Sequence, residues 1–234
     1  RPPSGGAGGG GGLRRGGEAS ARRGGWVFSP PILGLADAAN VQGWLREAIA
    51  CRVAELVGAP ALALAGWRLD RALAEALVRA GVGIRVGSAV AVEEADGRAL
   101  AVRVAAAGQE GRSALEALVL ATGRTVGGGV VERDGRDAEA LLGLPLFDLG
   151  GRRIDGIPSR RLVRRDYEGE QPLFAAGVRC DAQLRPLAAT GTPRLANLFA
   201  AGDLLGGFDP ARERTGLGVA LLTGRRAGAE ASRC

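Results

Sequence analysis

Three residue types are missing from this chain. Its 234 residues contain no histidine, no methionine and no lysine, so every basic side chain is an arginine. Without histidine there is no Ser-His-Asp triad, no imidazole general base and no imidazole metal ligand. Cysteine is scarce: Cys51, Cys180 and Cys234 stand far apart, with no C-x-x-C pair. That spacing supports neither a zinc nor an iron–sulfur site, so no metal is expected in this chain. Isolated cysteines fit a reducing cytoplasm, with Cys51 and Cys180 as small core residues. No apolar run is long enough to span a bilayer and no secretory leader is visible, so membrane association would come through a partner. Charge of one sign is also lacking. The net +6 is modest, and the arginines alternate with acids along most of the chain. A solvated mixed surface is therefore expected rather than a nucleic-acid interface. The chain does not start with methionine, and we expect it to be a fragment or a processed product.

What is present is apolar surface for a sizeable core, at 46% hydrophobic residues, and much glycine, at 40 residues. Residues 1–25 are mostly Gly and Arg, with a few Pro, Ser and Ala, one Glu and one large apolar group, Leu13. Such a stretch cannot offset its ordering entropy and reads as a disordered linker. Gly6 to Gly11 match G-x-G-x-x-G formally. No strand precedes them and no helix follows, so a phosphate loop is not expected there.

Periodicity from Trp26 onward alternates helix and strand. Trp26-Val27-Phe28 reads as a strand, and a helix capped by Asp37 is expected to run to about Val57, stopped by Gly58-Ala59-Pro60. Trp67–Ala80 reads as an amphipathic helix with Leu69, Leu73, Leu77 and Val78 on one face. Val82–Val86 and Ala89–Glu93 read as strands, Asp96-Gly97 as a hairpin turn, and Leu100–Val104 as the return strand. Leu115–Leu120 leads into Ala121-Thr122-Gly123, where small residues suit close approach to a ligand. Asp137–Leu144 is expected as a short helix. Gly150–Arg165 carries six arginines and reads as a solvated loop, with an anionic ligand or partner as the alternative. Phe174–Val178 and Leu184–Leu187 read as short strands.

The most informative stretch is Asn197–Ala227. Leu198-Phe199-Ala200-Ala201 reads as a buried strand. It ends at Gly202-Asp203, followed by a loop containing Gly206-Gly207 and a helix from about Thr215, with Gly216, Leu217 and Gly218 in its first turn. A carboxylate at a strand end can accept hydrogen bonds from hydroxyls, and a helix start can face an electron-rich oxygen.

This corner resembles the C-terminal flavin motif of glutathione-reductase-type flavoproteins, and the run before Ala121-Thr122-Gly123 resembles their middle section. The resemblance implies that Asp203 binds the ribityl chain. It places Thr215–Gly218 at the pyrimidine end of the ring and Ala121-Thr122-Gly123 beside the nucleotide. The runs FSPPILGLAD, ATGRTVGGGVVERDGRDAEALLGLPL, FAAGVRCDAQLRP and NLFAAGDLLGGFDPARERTGLGVAL more closely resemble the B subunits of anaerobic glycerol-3-phosphate dehydrogenases, from Trp26 to about Ala229. The implied fold is α/β: a partial Rossmann-like FAD/NAD(P)-binding domain lacking its N-terminal βαβ, with an interleaved smaller α+β cap region. On that basis 26–66 and 130–171 are cap or substrate-side segments, and 67–129 and 172–234 belong to the flavin domain. The implied activity is oxidation of sn-glycerol 3-phosphate to dihydroxyacetone phosphate, with electrons passed to quinone. The implied cofactor is a flavin, FMN by the resemblance and FAD by the motif. The implied partners are a larger, FAD-containing catalytic chain and an iron–sulfur chain that anchors the pair at the cytoplasmic face of the membrane. Asp209 is the candidate base, with Glu213 behind it, and Arg212 and Arg214 are candidates for the substrate phosphate. Two alternatives are a non-catalytic flavin-fold scaffold or electron relay, and another FAD-dependent oxidoreductase.

Overall fold

A computed structural model describes residues 24–56, 64–166, 169 and 171–234. The expected linker over 1–25 lies outside the described residues except for Gly24 and Gly25, and so do the glycine run at 6–11, Val57 and the stop at 58–60. The chain divides into two compact units, 1–84 and 85–234.

In the first unit, β1 (Trp26–Ser29) is followed by α1 (Ala38–Ile49), β2 (Arg52–Glu55) and α2 (Leu64–Arg79). β1 and β2 pair in parallel, Trp26 opposite Arg52 through Ser29 opposite Glu55. The helix expected to run to Val57 therefore ends at Ile49. Ala50 turns left-handed at φ 50°, and the chain returns as a strand with Cys51 and Val53 buried. Val53 satisfies helical spacing and strand alternation equally, and backbone pairing with β1 decides for the strand. α1 is tied to β2 by Gln42 Nε2, which donates to the Val53 carbonyl at 2.7 Å. Glu55 accepts from the Leu33 amide at 2.8 Å and pairs with Arg68 of α2, whose guanidinium holds the Glu55 carboxyl below its ordinary value. α2 matches the expected amphipathic helix, yet Leu69, Leu73, Leu77 and Val78 on its apolar face are exposed.

The second unit opens with an antiparallel meander of β3 (Ser88–Ala95), β4 (Arg98–Ala106) and β5 (Gln109–Ala114). Asp96 and Gly97 turn at φ 49° and 70°, the expected hairpin. β5 escapes the pattern reading because Gln109, Glu110 and Arg112 carry no apolar alternation, and its partner strand makes it. Val82–Val86 is not a strand: Val82, Ile84 and Val86 are exposed and the run has no regular pairing.

β6 (Leu118–Leu120) is the strand that ends in Ala121-Thr122-Gly123. β7 (Val130–Arg133) and β8 (Arg136–Glu139) then form a hairpin. The short helix expected over Asp137–Leu144 is thus a strand and a turn. Asp134-Gly135, at φ 52° and 73°, repeats the Asp-Gly signal of the first hairpin. β9 (Leu146–Phe147), a 3-10 turn at Ser159–Arg161, α3 (Pro172–Ala175) and β10 (Gly177–Val178) complete this stretch. The strand expected over Phe174–Val178 begins only at Gly177, because Pro172 starts a single helical turn.

β11 (Leu198–Ala200) pairs in parallel with β6, Leu198 opposite Leu118 and Ala200 opposite Leu120. A 3-10 turn at Gly202–Leu204, α4 (Pro210–Glu213) and α5 (Gly216–Ala231) follow. The core gathers Leu120, Leu144, Leu146, Ile154, Leu162, Val178, Leu195, Leu198 and Leu204, all within 2% of full burial. Full burial of one such leucine stabilises by about 1.5–3 kcal/mol. Asn197 fixes the corner to the meander. Buried at 1%, it accepts from the Ala99 amide at 2.8 Å and donates to the carbonyls of Ala99 at 2.8 Å and Glu116 at 2.6 Å. Among the described residues no helix is long and apolar enough to cross a membrane.

Candidate functional site

The parallel pairing of β6 and β11 carries two motifs to the same strand ends. β6 delivers Ala121-Thr122-Gly123 and β11 delivers Ala201-Gly202-Asp203, joined where the Ala201 amide donates to the Leu120 carbonyl at 2.9 Å. Carboxyl ends of parallel strands are where open α/β sheets bind ligands. Gly202 turns at φ 69°, and its amide donates to Thr223 Oγ1 of α5 at 2.8 Å. Thr223 Oγ1 donates in turn to the Val219 carbonyl at 2.6 Å, which seats α5 against the strand end. The Asp203 side chain is 47% exposed, so its carboxylate is open to a ligand.

The turn after β6 is closed by glycine. Gly123 has φ 71°. A Cβ on Gly129 would overlap the Gly123 carbonyl and stand 2.5 Å from Thr122 Oγ1. Only glycine lets the Gly127-Gly128-Gly129 loop fold back this closely, where the Gly129 amide donates to the Arg124 carbonyl at 3.0 Å. Gly206 serves a similar end: a Cβ there would meet the Gly177 carbonyl at 2.9 Å, and its amide donates to the Val178 carbonyl at 2.9 Å. Gly207, at φ 89°, turns the loop in open space.

Arg124, the residue after the A-T-G turn, escaped the motif reading. It is 6% exposed. Its Nη2 donates to the carbonyls of Leu205 at 2.8 Å and Phe208 at 3.0 Å, and its guanidinium lies over the Phe208 ring at 4.7 Å. Nε is 3.7 Å from Asp203 Oδ1. Burial pushes the Arg124 pKa down, and the charges of Asp203, Asp209 and Glu213 oppose that shift. Among the described residues, Nε, Nη1 and the buried Thr122 Oγ1 have no hydrogen-bond partner. The signal in the sequence was a basic residue set between ATG and a glycine run.

The N-cap of α5 is Thr215, whose side chain makes no capping bond among the described residues. The first amides of the helix, at Gly216, Leu217 and Gly218, have no intrahelical acceptor, and Leu217 and Gly218 are exposed. An open carboxylate, buried donors lacking partners and a helix start suit a ligand rich in hydroxyl and carbonyl oxygens. The residues present therefore fit a flavin at this corner.

Two cavities adjoin the 205–213 loop. One of about 510 Å³ is lined by Gly206, Gly207, Leu205, Arg179 and Cys180, and shares Asp148, Leu149 and Gly150 with the other. The other, of about 320 Å³, is lined by Asp209, Arg212, Glu213, Arg152, Arg164 and Gln171, among others. Arg214 is not part of its lining; it is the left-handed C-cap of α4, at φ 56°. Asp209 is 6% exposed and caps α4: its Oδ1 accepts from the amides of Ala211 at 3.0 Å and Arg212 at 3.3 Å. Glu213 Oε1 returns the bond by accepting from the Asp209 amide at 2.8 Å. Among the described residues no cluster of His, Cys, Asp and Glu could hold a metal ion.

Residues 4–219 match the family described as FAD binding domain. A probable B subunit of anaerobic glycerol-3-phosphate dehydrogenase from Halobacterium salinarum is 35% identical over 206 residues, which is 87% of this chain and 46% of that protein. The B subunit of anaerobic glycerol-3-phosphate dehydrogenase from Yersinia pestis bv. Antiqua is 35% identical over 106 residues, 45% of this chain and 23% of that protein. A Yersinia pseudotuberculosis protein of the same name matches to the same extent. The chain spans less than half the length of these curated relatives. No solved structure matches it.

Proposed function

We propose, from the premise that this chain belongs to the FAD binding domain family, that it forms the flavin-facing part of a B subunit of an anaerobic glycerol-3-phosphate dehydrogenase. The observation that carries this reading is the meeting of Ala121-Thr122-Gly123 with Gly202-Asp203 at the ends of two paired parallel strands. The reaction is oxidation of sn-glycerol 3-phosphate to dihydroxyacetone phosphate, with electrons passed to quinone. The partners are a larger, FAD-containing catalytic chain and an iron–sulfur chain that holds the assembly at the cytoplasmic face of the membrane. The proposed domain plan is a partial Rossmann-like fold over 67–129 and 172–234, with substrate-side segments at 26–66 and 130–171.

Asp203 would hold ribityl hydroxyls, and the α5 start from Thr215 to Gly218 would face the electron-rich edge of the ring. Ala121 to Gly123 would lie along the nucleotide, and Gly206-Gly207 would border the ring. A flavin, FMN or FAD, supplies the two-electron acceptor when bound. Asp209 would take the proton from the carbon-2 hydroxyl, and Arg212 would hold the phosphate. Arg214 lies off the cavity and is the weaker of the two arginine candidates.

A second reading, a non-catalytic flavin-fold scaffold or relay, draws on the engagement of Asp209 Oδ1 in capping and on the lack of histidine and lysine. One pair of variants separates the two. Asp203→Ala should abolish flavin retention, read by absorbance of the purified protein. Asp209→Asn keeps a good helix cap but loses the base. In the assembly with the larger catalytic chain it should cut turnover by about a hundredfold or more. Unchanged turnover with flavin retained would favour the relay, and flavin bound equally by Asp203→Ala would remove the proposed corner.

A further inference from the structure

Arg124 lies between the two strand-end motifs, and both its backbone and its guanidinium are fixed. Its carbonyl accepts from the amides of Gly129 at 3.0 Å and Val130 at 3.3 Å, so the glycine run clamps its main chain. Nη2 is committed to the carbonyls of Leu205 at 2.8 Å and Phe208 at 3.0 Å, which ties the guanidinium to the loop that carries Gly206 and Gly207. Nε is not committed. It is buried and has no hydrogen-bond partner among the described residues, yet it lies 3.7 Å from Asp203 Oδ1. Among the described residues, Arg124 is the cation that faces the Asp203 carboxylate. The other two acidic groups near Arg124 are engaged in capping α4: Asp209 Oδ1 accepts from the amides of Ala211 and Arg212, and Glu213 Oε1 accepts from the Asp209 amide. Of the three carboxylate charges that oppose the effect of burial on Arg124, that of Asp203 is the largest.

We propose that Arg124 is the positioning residue of Asp203, holding one carboxylate oxygen through Nε so that the other is aimed at a ribityl hydroxyl. This role rests on the flavin reading above. A buried donor left without a partner costs free energy, and a charge-assisted bond forms at about 2.7–2.9 Å, so closing the gap is favourable. Arg124 cannot close it, because its guanidinium is anchored on two carbonyls. Asp203 can, because its side chain is 47% exposed and free to turn. Once one oxygen is drawn to a fixed cation, the direction of the other is preset. A ligand hydroxyl then meets an oriented acceptor, without the entropy cost of immobilising a free side chain. The same guanidinium holds the 205–208 loop, so the hydroxyl site and that loop are ordered together. Lysine would keep the charge but lacks the fork that reaches two carbonyls and a carboxylate at once.

The test compares riboflavin with lumiflavin, which carries a methyl group in place of the ribityl chain. Both are titrated into the full chain and followed by flavin fluorescence. Wild type should prefer riboflavin by about tenfold or more. Arg124→Gln and Asp203→Asn should each remove most of that preference, and the double variant should lose no more than either single change. Arg124→Lys should fall between wild type and Arg124→Gln. If Arg124→Gln does not fold, the cycle of Arg124→Lys with Asp203→Asn reads the same ratio. An Arg124→Gln protein that weakens both flavins alike would make Arg124 a structural residue only. Losses that multiply in the double variant would make the two residues independent. Either result overturns the positioning role and leaves the flavin reading standing, because wild type still prefers riboflavin. A wild type that binds neither flavin, or binds both equally, overturns the flavin corner and this role with it.

Discussion

The corner at the ends of β6 and β11 and the arginine-rich stretch from Arg136 to Ala175 both bury irregular backbone, and they satisfy it differently. At the corner, backbone meets backbone. Glycines at 127, 129, 177 and 206 let chains approach where any side chain would collide, and the leftover carbonyls of Leu205 and Phe208 go to one buried cation, Arg124. In the other stretch, side chains answer the backbone. Glu139, 0% exposed, accepts from the amides of Leu141 at 3.0 Å, Leu142 at 2.7 Å and Leu144 at 3.3 Å, and Gln171 bridges residues 164 and 166. A surface made of backbone is suited to a ligand that must lie close against it. A loop pinned by side chains is suited to presenting long arginines at fixed positions.

The contrast predicts unequal responses to small changes. Gly129→Ala should be the most damaging, because its Cβ would overlap backbone that has nowhere to move. We expect a loss of about 4 kcal/mol or outright failure to fold, measured by urea denaturation. A loss under about 1 kcal/mol would mean the glycine packing is looser than described. Arg124→Ala should cost about 3 kcal/mol, since two buried carbonyls lose their donor and Asp203 loses its nearby cation. It should also weaken flavin binding, so the same denaturation series with and without flavin would show a smaller ligand-induced shift than wild type.

Glu139→Ala comes next. It should cost about 2 kcal/mol, because Leu141 and Leu142 are only partly buried and water can replace part of what is lost. Its effect should stay within the arginine-rich stretch, leaving riboflavin affinity unchanged. Equal damage to flavin binding would break the distinction between the two regions. The smallest effect is chemical. Burial, with the Asp181 charge adding to it, pushes the Cys180 thiol up to about 12. At pH 8 its thiolate is scarce, so iodoacetamide should label exposed Cys234 first and leave Cys180 largely intact, as mass spectrometry of the digested protein would show. Raising the pH toward 10 should speed labelling of Cys180 in proportion to its thiolate.

Several elements were legible because their causes are local. The Asp96-Gly97 hairpin, the α5 start after Thr215 and the buried run Leu198–Ala200 each follow from turn chemistry or from one apolar stretch. β2, β5 and β8 were not legible, since each is a short or polar segment that becomes a strand only beside its partner. Asp134-Gly135 carried the same turn signal as Asp96-Gly97, and helical spacing over Asp137–Leu144 hid it. The site divides in the same way. Asp203, Gly202 and the A-T-G turn stood out as motif residues. Arg124 did not, because its partners lie 81 and 84 residues away. Arg152 and Arg164 looked like two arginines among six in a solvated loop until the fold placed them around one cavity with Arg212.

By itself the sequence determined which chemistries are closed to this chain, since residue types that are missing cannot be supplied by folding. It also determined the local corners, because a glycine's reach and an apolar run's burial are properties of a few consecutive residues. The tertiary structure alone decided the pairing of β6 with β11, the burial of Arg124 and the meeting of Arg152, Arg164 and Arg212. Each depends on contacts between residues far apart in the chain, and the stability of those contacts comes from the shared core rather than from any one segment.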